Sequence, residues 1–543
     1  MSARWLLVAR LGGVTGRWCS GVTDVSVGGY VWRAALPDLE LSRPQSADVS
    51  IGITLTDGVD YATQAARGVV LEGQPATLYR WTEGDAFELA RVWLSGRVRG
   101  VQVGSAADGL TFSVAVSGVD DTDPILEPQA RIDSVTLPDV SGVAAYTRLS
   151  GAEGAVYPVV IGYPGSGMFH PVVPAPMARE CTTALTPGLS EIMIAAGDLN
   201  ATTVKILDVE IGGTQVDTFP VSYRVDELGT RYGYALVGDG DNYPSPALWT
   251  ASSEQAAFYI AFDDEAGRGG GLLDPYGTGP IEGAGAAIRW ALLAHGGRLL
   301  VDVDDLNRFV SVLDEVRIDT WINDPEILAW EWIEDAILPY VSARVVHTGA
   351  GLSIRPWDWT CRARQAVAQL EHDRNVTRAG RARTYAEAGA TANEITIEYR
   401  PQRGGVAYMA RRVFSSEYER RGGFPLSGVG ADDRVHPHEL ARASQRDYGA
   451  VYPLTVQCPH VWHDSAADVI GLEVLRARAL PHAQITYTAQ GSALEHLLPC
   501  DVVTLTDADL GYTDAPALVH DLKITAAGVA VVLVVPHALV RAS

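Results

Sequence analysis

The sequence predicts a mainly β protein with a smaller α-containing segment, a β-rich α+β fold with a β-barrel domain at each end and further domains between them. Three observations carry this. Apolar and polar residues alternate with period two through much of the chain, as strands with one buried face require. The 55 glycines and 29 prolines supply turns for many short strands. Helical spacing, by contrast, is concentrated in residues 282–357. A chain of 543 residues accommodates about three to five domains. The pattern divides it into a barrel-like domain at 1–125, a β-rich insertion at 150–275, an α/β segment with three helices at 280–360, and a second barrel with one inserted helix at 385–543.

In the first domain, Trp5 to Leu11 reads as a strand turned by Gly12 and Gly13, and Val25 to Val31 as two short strands around a tight turn. Ala76 to Trp81 and Leu89 to Leu94 alternate across the charged turn Glu83-Gly84-Asp85. Gly96 to Val103 pairs naturally with Leu110 to Val116 across Ala107-Asp108-Gly109. The charge-rich break Asp120 to Pro124 closes the domain. Strand patterns return at Tyr157 to Gly165 and Thr203 to Ile211, and Gly267 to Gly271 is a flexible joint.

Three helices follow. Ile288, Ala291, Leu292 and His295 share one face, and Gly296-Gly297 stops that helix. Leu306, Phe309, Val310 and Leu313 repeat the spacing behind an Asp304 cap. The third is expected to start with Asp324 as N-cap and Pro325 at its first position, and to end at Pro339. Leu352 to Pro356 returns to strand. In the last domain Glu394 to Arg400 alternates, and Ser465 with Asp468 marks a capping box for the inserted helix. Ile485 to Thr488, Asp501 to Thr506, Leu518 to Ile524 and Val529 to Val535 are strands. Trp93 to Val116 and Leu518 to Val535 share a plan of strand, small turn and strand, which raises the possibility of an internal repeat.

The net charge of −24, from 66 acidic and 42 basic residues, excludes a surface built to grip phosphate backbones. It fits either simple solubility or an acidic lumen that nucleic acid slides past. Five scattered cysteines (Cys19, Cys181, Cys361, Cys458, Cys500) form no disulfide framework and read as buried hydrophobes made in a reducing cytoplasm. The apolar runs Trp5 to Ala9 and Ala526 to Val540 read as buried strands, the second falling short of the roughly 20 residues that span a bilayer.

Candidate chemistry is sparse. Cys458, His460 and His463 lie within six positions and offer zinc-type ligands, but no fourth ligand stands at a defined spacing, and a loop explains them without metal. His436 and His438 lack the spacing that would place two imidazoles on one helical face. Around Ser166, Pro164 and Met168 stand where a nucleophile elbow needs glycine. Paired carboxylates such as Asp120-Asp121 and Asp304-Asp305 are too frequent to single out. No cofactor is expected, and no enzyme.

The stretch Ala441 to Gly449, with Ser444, Tyr448 and Gly449, resembles the Ser-x-x-x-Tyr-Gly segment of phage tail hub proteins. Further elements of that resemblance follow: a helix-containing excursion at Ala466 to Leu480, the acidic strand Asp501 to Asp507, the patch Asp509 to Tyr512 and a final hairpin at Leu518 to Val535. The family places glycine before the strand's first Asp; here Cys500 stands there. Leu94 to Val98, and the segment around 327–357 with Leu352 to Pro356, are similar to the family's first barrel and its inter-barrel segment. The resemblance implies two barrels of tail-hub type per subunit and a homotrimer with pseudo-sixfold symmetry. Such a ring adapts a sixfold tail tube to a threefold tip and lines the channel for DNA and the tape-measure protein. It implies a place at the virion tail tip, beside distal tail, tape-measure and central fibre or tip proteins. Genomic DNA would pass without sequence-specific binding, and the host outer surface would be met indirectly. Ser444, Tyr448, Gly449 and Asp501 are the interface candidates it implies. The alternatives are a tail-associated cell-wall or polysaccharide hydrolase and a receptor-binding or distal tail protein.

Overall fold

The computed structural model describes residues 3–11, 13–103, 109–126, 146–147, 156–165, 173–175, 177–181, 190–208, 216–225, 229, 231–237, 258–262, 270–385, 390–402, 407–416, 434–525 and 528–542. The predicted Ala107-Asp108 turn positions, Ser166 and Gly267 to Gly269 lie outside them.

The chain begins with nine strands: β1 (Ala3–Leu11), β2 (Val14–Ser20), β3 (Val25–Val27), β4 (Tyr30–Leu36), β5 (Leu41–Ser42), β6 (Val49–Leu55), β7 (Pro75–Thr82), β8 (Arg91–Val103) and β9 (Leu110–Val116). All but β5 form one sheet in the order β3-β4-β2-β1-β7-β8-β9-β6. It curls so that the end of β6 reaches back toward β4, where Thr56 N–H donates to Ala35 O at 3.2 Å. Alternation does the work expected of it: along β9, Leu110, Phe112, Val114 and Val116 face inward and are buried. The β3–β4 turn places Gly28 and Gly29 at φ 61° and 75°, the left-handed pair a two-residue hairpin turn needs.

A second large sheet closes the chain: β10 (Ala368–Glu371), β11 (Thr377–Arg378), β12 (Ala483–Ala489), β13 (Val502–Asp507), β14 (Tyr512–Thr525) and β15 (Gly528–Val535), in the order β10-β13-β14-β15-β12-β11. Its central path repeats that of the first sheet. In one, β7-β8-β9-β6 are neighbours; in the other, β13-β14-β15-β12. Corresponding strands come in the same chain order and every pair is antiparallel. Both long strands, β8 and β14, are bulged where they face the next strand, between Arg99 and Gln102 and between Val519 and Asp521. The shared plan seen in the sequence is therefore a shared topology.

Between the sheets lie the helices α1 (Ala284–His295), α2 (Val303–Leu313) and α3 (Ala329–Ala336). Gly296 ends α1 as expected. Two starts differ from expectation. The α2 cap is Asp302, whose carboxylate accepts from Asp305 N–H at 3.0 Å, rather than Asp304. The Asp324 carboxylate accepts from Glu326 N–H at 2.9 Å, making a turn two residues long, so α3 begins only after Leu328.

The stretch before β12 is a mixed four-stranded sheet, ordered Arg434–Pro437, Tyr408–Ser415, Glu394–Pro401 and Pro453–Cys458, and it carries two helices where one was expected: α4 (Glu439–Tyr448) and α5 (Asp464–Arg478). The expected capping box fails because α5 starts at Asp464, and Asp468 turns instead to the buried Arg412 at 3.3 Å. The described strands of 146–262 form a five-stranded and a four-stranded sheet, except Val159–Ile161, which pairs with Thr320–Ile322. One contiguous hydrophobic core runs through both large sheets and the three helices, from Trp5 and Trp93 through Trp330 to Leu533. Among the described residues no helix is long and apolar enough to cross a membrane.

Candidate assembly site

The place where the two large sheets meet is bridged by buried and half-buried polar side chains. It starts from a geometric mismatch. β13 pairs with β14 only as far as Leu518, while β15 follows β14 to Thr525. The edge of β14 beyond Leu518 would be left open, and β5, from the other sheet's territory, fills it. Ser42 pairs with Lys523 and Leu41 with Ile524. Arg43 N–H then donates to Leu522 O at 2.8 Å, and the Gln45 amide to His520 O at 2.8 Å. An added strand satisfies backbone groups that an exposed edge would offer to any passing chain.

Arg43 locks this junction. It is only 5% exposed, its guanidinium lies 3.9 Å from the Trp93 ring centroid, and it donates to Val92 O and Glu495 O, each at 3.4 Å. Burial pulls its pKa down to about 10, with Arg91 adding to the effect and Glu495 and Asp501 opposing it, so it remains charged at neutral pH. Arg80 reaches the same buried Glu495 at 3.3 Å. His347 Nε2 lies 2.8 Å from Ser46 O. Separating the sheets would break these contacts together with the apolar core that the sheets share, so the seam resists opening.

Asp501 belongs to this buried framework. Arg355 donates two bonds to Asp305, from Nε and from its NH2, and a third to Asp501, all at 2.8 Å. The other Asp501 oxygen accepts from Leu498 N–H at 2.8 Å. Burial raises the Asp501 pKa against the opposing pull of Leu498 N–H and Arg355. The residue before it, Cys500, has φ 71°. That is the left-handed region in which a side chain costs about 1–2 kcal/mol and glycine costs nothing, which accounts for glycine at this place in the family that the sequence resembles. In Cys500→Gly the relief of that strain is offset by glycine's greater loss of chain entropy, so stability is expected to stay within about 0.5 kcal/mol, whereas Cys500→Val loses about 2 kcal/mol, the β-branched side chain being least tolerated there. Urea midpoints of the two variants measure this.

Ser444, Tyr448 and Gly449 share α4 and its end. Ser444 is fully buried and its Oγ accepts from Asn393 Nδ2 at 3.1 Å; Asn393 also donates to Ala450 O and accepts from Tyr452 N–H. Gly449 caps the helix at φ 65°. The turn so formed presents Tyr448 and Tyr452, 42% and 41% exposed, in an edge-to-face pair with centroids 5.9 Å apart, beside the exposed Val451. Tyrosine is a residue type that protein interfaces favour, and two exposed ones stand on this pinned turn.

The three zinc-type residues do not gather. Cys458 is buried, and burial pushes its thiol up to about 12, away from the thiolate a metal needs. His460 Nδ1 lies 2.8 Å from Thr320 Oγ1, and His463 Nε2 lies 3.5 Å from the buried Asp319. Asp319 in turn accepts from Tyr163 N–H and Trp462 N–H. The histidines thus tie the 458–464 loop to the strand Thr320–Ile322. Among the described residues only His372, Asp507 and Asp509 bring three ligand atoms together, and there Arg378 already bridges both carboxylates, at 2.8 and 3.0 Å.

No family model and no curated protein matches the chain. Solved structures that overlap the chain include phage tail proteins and a gene transfer agent virion chain. The 43 kDa tail protein of prophage MuSo2 from Shewanella oneidensis is 12% identical, with 98% of each chain covered and a TM-score of 0.33. A chain of the native gene transfer agent virion is 13% identical over 75% of this chain and 89% of that one, with a TM-score of 0.39. The tail protein of Neisseria meningitidis MC58 is 12% identical over 65% and 97%, with a TM-score of 0.27.

Proposed function

We propose that this chain is the structural hub of a phage tail tip or baseplate. In this reading three copies form a ring that adapts the sixfold tail tube to a threefold tip and lines the channel taken by DNA and the tape-measure protein. The observation that carries the reading is the repeated four-strand path. One subunit holds two sheets that share this four-strand path, joined through β5, so three subunits present six similar units around a ring. A closed ring also gives exposed strand edges permanent partners. The acidic surplus suits a channel wall that DNA passes without sticking. The distal tail protein, the tape-measure protein and the central fibre or tip proteins are the neighbours this role requires, and the ring, made in the host cytoplasm, ends at the virion tail tip.

Negative-stain electron microscopy of the purified protein tests the reading. Class averages are expected to show a ring with three major lobes, six minor ones and an open centre; compact particles without a channel would overturn it. Tyr448→Ser is expected to shift particles from rings to single subunits while leaving the melting of the subunit within about 0.5 kcal/mol of wild type, as an exposed substitution should.

A further inference from the structure

We infer that a second copy of this chain docks its exposed segment Thr377 to Thr384 along the bulged half of β8, repeating between subunits the strand addition that β5 makes on β14 within one. The inference rests on the ring reading and names the contact that builds it.

The two long strands have the same problem and, among the described residues, only one of them has the full solution. β14 outruns β13, and β5 completes the exposed stretch. β8 likewise outruns β7: their pairing ends at Arg97 opposite Pro75, while β9 follows β8 to Val103. Past Val98, which exchanges hydrogen bonds with Gly73 and Gln74, β8 meets no further strand on that side among the described residues. In the bulge, Gly100 N–H and Val101 N–H donate to the two carboxylate oxygens of Glu72, at 3.0 and 3.1 Å. An exposed side chain thus holds the place that backbone holds on β14. Gly100, Gln102 and Val103 are exposed.

The donor is suggested by the topological correspondence and by charge. β5 precedes β6 in the first sheet; β11 and the short strand Arg383–Thr384 precede β12, the counterpart of β6, and form the outer edge beside it. Between them Ala379, Gly380, Arg381 and Ala382 stand exposed, and so does Arg383. Arg378 is held by Asp507 and Asp509, which leaves Arg381 and Arg383 to reach outward. In a chain of net charge −24, this arginine-bearing edge faces naturally toward Glu72. Of the β8 arginines nearby, Arg97 donates to Gly73 O and Arg99 pairs with Asp121. On docking, backbone carbonyls of the incoming segment replace the Glu72 carboxylate on Gly100 and Val101, and the freed carboxylate pairs with the incoming arginines. This is recognition by strand addition, with main-chain bonds giving affinity and the flanking charges giving register. Because donor and acceptor are different surfaces, the contact is head-to-tail, as a ring requires.

Hydrogen–deuterium exchange on the full chain, diluted and assembled, tests this, together with native mass spectrometry of two variants. Assembly is expected to protect amides in 99–103 and 379–384. Arg381→Glu with Arg383→Glu is expected to raise the concentration needed for assembly about tenfold or more, with unchanged melting of the subunit, and adding Glu72→Arg to that variant restores assembly. Rings that form without protection at 99–103, or a charge-reversed variant that assembles as wild type, would overturn this contact and leave the ring intact. A wild-type chain that never assembles would overturn the ring reading and the contact together.

Discussion

Replacing Arg355 with methionine is expected to cost about 3–5 kcal/mol of folding stability at neutral pH, the loss found when one partner of a buried ion pair is removed. The guanidinium is 6% exposed and makes three bonds of 2.8 Å to two carboxylates, with Asp305 itself 5% exposed. Without it, the buried Asp305 at the start of α2 keeps only the exposed Arg308 at 3.7 Å, and the half-buried Asp501 just before β13 loses its cation. Because burial already raises the Asp501 pKa, the variant should recover part of its loss as pH falls and the carboxylates take up protons. Arg355→Lys should fall between, since an ammonium keeps the charge but lacks the fork that serves both oxygens of Asp305. Urea unfolding at pH 7 and pH 5 measures all three; a loss below about 1 kcal/mol for the methionine variant would contradict the role given to this clamp.

Acid should weaken the fold between pH 6.5 and about 4, a loss that sets in above the range where most carboxylates titrate. Burial lowers His460 and His482 from 6.5 to about 4. Between those values the unfolded chain binds protons that the folded chain refuses, so stability is whole above pH 6.5 and is lost as pH falls toward 4. At 1.36 kcal/mol per unit, each contributes about 3 kcal/mol to that loss. Geometry supports the neutral state of His482. The ring stacks on Trp359 with centroids 4.3 Å apart, its Nε2 lies 2.9 Å from Arg476 O, and its Nδ1 accepts from His537 N–H at 3.1 Å. A second ring proton would point at that N–H. The double variant His460→Gln with His482→Gln should show a visibly flatter dependence of unfolding free energy on pH across this window. An unchanged slope would contradict the assignment.

What could be read in advance follows from how far each feature reaches along the chain. Strands with one buried face, such as β9 with Leu110, Phe112, Val114 and Val116, announce themselves through alternation over seven residues. Gly296 likewise marks the end of α1 locally. Helix starts were harder, because Asp302, Asp304 and Asp324 are chemically alike and only the folded backbone decides which carboxylate meets an N–H three residues on. The inter-sheet seam was invisible. β5 has two residues, too few for any period, and Arg43 meets Glu495 across 452 positions. Arg43 lies beside Pro44 in a stretch that carries no strand pattern. Of the interface candidates, Tyr448 and Gly449 lie on an exposed turn, while Ser444 is buried and Asp501 half-buried, and they hold that turn and the seam in place. A polar residue type in a sequence does not say which side of a surface it will occupy.

Native mass spectrometry of the purified chain across a range of concentrations tests the central claim most directly. The account predicts a trimer that grows in with concentration, without populated species beyond it, because a head-to-tail contact that closes has no free ends left. A monomer at every concentration, unchanged when tail-tube protein is added, would contradict it.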